Sequence, residues 1–272
     1  MDKKRKHALC EKNAIFGIIA AVLFVYFTIA IGGMIGHYGF NSDTVNYILE
    51  IVFALIALII LSLWFKPEFK GFAKPCVTLK EAFMLCVPGL LITVLAFVLT
   101  AISAGYVYFN PTFNALMMAI TAGVFEEALF RAAPVALGMR YLKNENRSFY
   151  IAVIVSVCFG LTHFANAASG ADFVATIFQV IASAGTGLFL IAIFLRTGSI
   201  IPPMLIHGIY DWVCFVGDPT LTEDGLVTNA DNPMEYVFGL AIGVLFGIVG
   251  FYMLRKVKRA EINKIWDQKW SR

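Results

Sequence analysis

The chain has 272 residues, 60% of them hydrophobic and 14% charged, with a formal net charge of +3. This balance excludes an ordinary soluble domain and reads as a polytopic membrane protein. The five cysteines, Cys10, Cys76, Cys86, Cys158 and Cys214, are odd in number, widely spaced and without a C-x-x-C, which argues against a disulfide framework or a zinc-thiolate site.

Lys3-Lys4-Arg5-Lys6 precede an apolar run from Ala14 to about Ile35. The run is too long for a signal-peptide core and has no small-residue cleavage site, so it reads as a retained first span. After the polar turn Asn41-Ser42-Asp43, a second span covers about Val45 to Phe65. Thr78-x-x-Glu81 is a capping-box pattern opening a third, which runs to about Ser103. The fourth runs from Phe113 to about Met139, with a kink or early end expected at Pro134. A fifth covers about Ser148 to Phe164, a sixth ends near Leu195, a seventh covers about Pro202 to Val216, and an eighth about Tyr236 to Leu254. The runs approach the roughly 20 residues that cross a bilayer.

Basic residues flank the N-terminus, the links after spans two, four and six, and the C-terminus, while the other links are neutral or acidic. The positive-inside rule then gives an all-α bundle of about eight transmembrane helices with both termini cytoplasmic. A single integral membrane domain, 1–272, is expected, with no internal repeat and no nucleic-acid partner. In the tail, 255–272, Ile262, Ile265, Trp266 and Trp270 stand at helical spacing among lysines, which fits either an amphipathic helix on the membrane surface or a frayed basic tail.

The fourth span carries Glu126, Glu127 and Arg131 inside an apolar run. A charge at the bilayer centre costs about 2.5–3.5 kcal/mol on insertion scales, so such groups face a bundle interior, pair, and mark function. Glu127 and Arg131 are four apart and can pair; Glu126 points about 100° away and stays outside the pair, suited to act as a general base. Span five carries Phe159 and His163. Span seven carries His207 and Asp211, four apart on one face, so that Asp211 can fix the tautomer of His207. Gln179 and Glu50 stand alone and read as packing or interfacial residues.

The three stretches, Glu126-Glu127-x-x-x-Arg131, Phe159-x-x-x-His163 and His207-x-x-x-Asp211, resemble in order and spacing the motifs of the CPBP family, which comprises the type II CAAX prenyl endopeptidases and the bacteriocin-processing or Abi proteins. The resemblance covers a motif-bearing core of about 112–216. It implies an intramembrane endopeptidase in which Glu126 activates a buried water, His163 helps to hold it, and His207 with Asp211 stabilises the oxyanion. Glu127, Arg131 and Phe159 would shape the site. An ionised aspartate cannot donate a hydrogen bond, so Asp211 is either protonated or acts through His207.

The implied partners are membrane lipids and a peptide or lipidated protein substrate, reached from the cytoplasmic side of the cell membrane. No cofactor is expected. Zinc is the competing mechanism, but the chain lacks H-E-x-x-H and a carboxylate paired with arginine is a poor ligand. A proton-coupled carrier and a non-catalytic immunity or scaffold protein are the rival functions. Counting 1.5 Å per residue puts Glu126 and His207 about 10 Å from the cytoplasmic face and His163 about 20 Å deep, so the three meet only if a helix starts elsewhere or tilts.

Overall fold

The computed structural model describes residues 10, 12–219 and 233–271, and the described residues form helices joined by short links. In chain order these are α1 (Ala14–Met34, continued by a π-helical stretch Ile35–Phe40), α2 (Asp43–Trp64), α3 (Leu79–Ala104), α4 (Phe113–Glu127), α5 (Ala133–Tyr141), α6 (Arg147–Thr162), the short α7 (Phe164–Ala168), α8 (Phe173–Thr197), α9 (Ile201–Gly217), α10 (Pro233–Met253) and α11 (Lys256–Lys269). A π-turn, Ala128–Ala132, joins α4 to α5.

Local chemistry starts these helices where the sequence says. Asn13, Ser42, Thr112 and Asp172 each accept a backbone N–H in the first turn of the helix that follows. Thr78 and Glu81 form the full capping box of α3. Pro134 does not end the fourth span. It falls in the first turn of α5, where its missing N–H is one the helix start leaves unpaired anyway, and the π-turn before it absorbs the mismatch.

Among the described residues, seven helical stretches are long and apolar enough to cross a membrane, and the chain is an integral, multi-pass membrane protein. The expected seventh span is the exception. Helix α9 has 17 residues, a length of about 25 Å against a hydrocarbon core of about 30 Å. It packs against α3 and α4 and leaves Ile201, Leu205 and Ile209 exposed.

The links after spans two, four and six meet on one face, and α11 ties them together. Trp266 Nε1 donates to Leu195 O at 3.1 Å and Trp270 Nε1 to Ala136 O at 3.0 Å. Arg147 pairs with Asp267 at 2.8 Å, Arg259 donates to Asn146, and Lys269 Nζ donates to Lys74 O. Phe65 and Phe69 pack on the Trp270 ring. The tail is therefore an ordered helix. Ile262, Ile265, Trp266 and Trp270 are buried on the protein, so its apolar side is not spent on a membrane surface. The basic residues Lys3–Lys6 and the acids Glu223, Asp224 and Asp231 lie outside the described residues.

The buried core fills the half of the bundle nearest this basic face. Ala132, Ala133, Val135 to Met139, Phe189 to Leu195 and the α11 anchors are almost wholly inaccessible. The other half is looser, and the polar groups of spans four, five and seven sit at the boundary.

Candidate active site

The site begins with a close approach of two backbones. A Cβ added at Gly123 of α4 would stand 2.7 Å from Met204 O and 2.9 Å from Gly208 N of α9. Only glycine permits that separation, and it brings His207, the neighbour of Gly208, against the end of α4. His207 Nδ1 lies 2.9 Å from Glu127 Oε1. The same oxygen is 3.2 Å from Arg131 Nη1, and Glu127 and Arg131 are both fully buried. Glu127 is thus held between a guanidinium and an imidazole, as the spacing with Arg131 required. The partner at Nδ1 is Glu127, however, and not Asp211, because the approach of α4 supplies a nearer acceptor than the next turn of α9.

Three carboxylates therefore surround one imidazole. Glu126 Oε2 is 3.5 Å and Asp211 Oδ2 3.4 Å from His207 Nε2. Unlike Glu127, both acids keep partial exposure, 25% and 20%, and both line a cavity of about 670 Å³. One wall of that cavity is continuous from His207 through Asp211 and Cys214 to Asp218, positions that recur along one face of α9.

His163 caps the C-terminal end of α6 and turns back on its own last turn. Its Nδ1 lies 3.1 Å from Phe159 O, a carbonyl that can only accept, so the proton sits on Nδ1 and Nε2 is left as an acceptor. The Phe159 ring is the hub between the motifs. It meets His163 edge-on at 5.1 Å, His207 at 5.9 Å and Phe130 at 5.2 Å, and the Arg131 guanidinium lies 4.4 Å from its centre. Glu126, Phe159, His163, His207 and Asp211 all line the one cavity, while Glu127 and Arg131 stand behind it.

The depths of Glu126 and His163 agree once the helices are known. The fourth span continues to Tyr141, so Glu126 lies about 22 Å from its basic end, and His163 lies about 24 Å from Arg147. Helix α9 begins at the link after span two, where Ile200 N bonds to Phe72 O, and the close approach of Gly123 to Gly208 brings His207 to the end of α4.

Residues that looked idle in the sequence also reach the cavity. Gln179 is not isolated: it accepts from Asn166 Nδ2 at 2.9 Å, and both line the cavity with Tyr210 and Asp218. No periodicity signals them, since they come from three helices whose alignment depends on the glycine contacts. Among the described residues, no group of three or more His, Cys, Asp or Glu is arranged to hold a metal ion.

No curated protein and no solved structure shows a significant match to the chain. Residues 108–213, the segment that carries all three motifs, match the family model described as Type II CAAX prenyl endopeptidase Rce1-like, the family that those motifs resemble.

Proposed function

We propose that this protein is an intramembrane endopeptidase that hydrolyses a peptide bond with a water activated by Glu126. The observation that carries the reading is the convergence of Glu126, His163, His207 and Asp211 from three helices on one cavity, with the buried Glu127–Arg131 pair fixing His207 from behind. Glu126 accepts one proton as the water oxygen attacks the scissile carbonyl. His163 Nε2 accepts from the same water and orients it. With protons on both nitrogens, His207 offers Nε2–H to the developing oxyanion, and Asp211 balances the imidazolium charge. This gives Asp211 a role through His207 that requires no donation of its own. Collapse of the tetrahedral intermediate breaks the C–N bond, and Glu126 returns its proton to the leaving amine.

We favour a metal-free route, and the engagement of Glu127 by Arg131 and His207 supports it. The substrates to test are those the family implies, lipidated C-terminal CAAX-type segments and small leader-type peptides. The experiment is turnover by detergent-purified protein of a panel holding farnesylated C-terminal tetrapeptides and unmodified leaders, before and after chelation. Cleavage that survives chelation is expected. Loss of activity that added zinc restores would overturn the metal-free mechanism.

A further inference from the structure

The cavity is not centred on the bundle. Its deep end is at Glu126 and His207, and from there it continues away from the basic face. Along α9 the lining runs from His207 to Asp218, about 16 Å of helix rise. The remaining walls include Asn166 on α7, Ala171 in the link after it, and Tyr236, at the start of α10. Every one of these lies at the helix ends opposite the basic links, since α6 and α9 leave the basic face at Arg147 and Ile201 and α10 returns to it at Met253.

In the opposite direction the helices are closely packed. Ala132, Ala133, Val135, Ala136 and Leu137 are fully buried, as are Phe189 to Leu195, and α11 closes the face with its two tryptophans. The charge of the lining agrees. It includes Glu126, Asp211 and Asp218 but no lysine or arginine, so even a cationic His207 leaves the wall acidic. Basic links mark the cytoplasmic side.

We infer, resting on the endopeptidase reading, that the cavity takes its peptide from the non-cytoplasmic face, so that the substrate is a peptide already carried across the membrane rather than a cytoplasmic chain terminus. This inference departs from the expectation of cytoplasmic access drawn from the sequence, since Glu126 lies close to the middle of its span and the packed half lies on the basic side. An acidic wall of this kind favours a peptide that carries positive charge.

The test uses the full chain in intact cells. Single cysteines are added to the natural protein at Ala167, on α7 beside the mouth, and at Asn144, in the basic link. A membrane-impermeant maleimide is applied before and after permeabilisation. The inference expects the Ala167→Cys protein to gain label in intact cells, and the Asn144→Cys protein only after permeabilisation. A lysine-containing leader peptide added outside should slow labelling at residue 167 more than its glutamate counterpart, by about tenfold at low salt. Label at residue 167 only after permeabilisation, or at residue 144 in intact cells, would overturn the inference, and so would equal labelling rates with and without peptide. The endopeptidase reading is scored separately in the same cells from product. Peptide protection without any cleavage would sink the enzyme and leave the access side standing.

Discussion

At the scale of single residues, the site separates acids that are committed from acids that are available. Glu127 has no exposure and two cationic or donor partners, whereas Glu126 and Asp211 face the cavity. Removing one member of a buried pair strands the other, at about 3–5 kcal/mol. Arg131→Met should therefore lower the thermal midpoint in detergent sharply, and Glu127→Gln/Arg131→Met should recover part of the loss. A double variant less stable than Arg131→Met alone would show that the pair is not the reason. Phe159 positions two histidines by its ring edge and one of them also by its carbonyl. Phe159→Leu keeps the backbone acceptor and loses the ring. It should lower kcat roughly tenfold or more while KM moves little, since misplacement of about 1 Å is enough to slow catalysis. The polar residues were legible in the sequence because a membrane span makes each charge expensive, so Glu126, Glu127, Arg131, His163, His207 and Asp211 stood out against their neighbours. The partner of His207 Nδ1 was not, since four-residue spacing shows only neighbours on one helix and Glu127 arrives from another.

At the scale of helices, close backbone contacts set the alignment of the walls. A Cβ at Gly243 of α10 would stand 2.3 Å from Ala182 Cα of α8, whereas one at Gly239, a turn earlier and lining the cavity, would meet nothing within 4 Å. Gly243→Ala must push two backbones apart and should destabilise by about 1–3 kcal/mol or more. Gly239→Ala should leave the thermal midpoint unchanged within error. Equal effects in the two variants would contradict the packing described for α8 and α10. Gly239, Gly243 and Gly247 recur every four residues in the sequence, but that repeat does not tell the packed glycine from the one beside open space. The π-turn after Glu127 was likewise hidden. Pro134 announces a break, and only the packing of α4 against α9 decides that the chain widens one turn and continues.

At the scale of the whole molecule, the described residues divide into a packed basic half and an open half, and α11 closes the packed one. Lys269 reports on that closure. Its Nζ donates to Lys74 O, and burial pushes its pKa from 10.5 down to about 8. Between about pH 8 and 10.5 the unfolded chain holds a proton that the fold releases, so this group makes stability rise with pH across that window, its penalty being full below it. Lys269→Met should flatten the rise in thermal midpoint, and a variant with the same slope as the natural chain would detach the effect from Lys269. The positions of most spans and the grouping of basic links were readable from hydropathy and charge. The short α9 and the direction in which the cavity opens were not, because both depend on how the basic links and α11 fold over the helix ends.

The most direct test of the catalytic reading is the rate of peptide cleavage by purified protein beside its Glu126→Gln variant, with both shown to be monodisperse and to have the same thermal midpoint. Cleavage by the natural chain that falls by about 10²–10⁴-fold in the variant is expected of a lost general base. A folded Glu126→Gln protein that cleaves at the rate of the natural chain would contradict it.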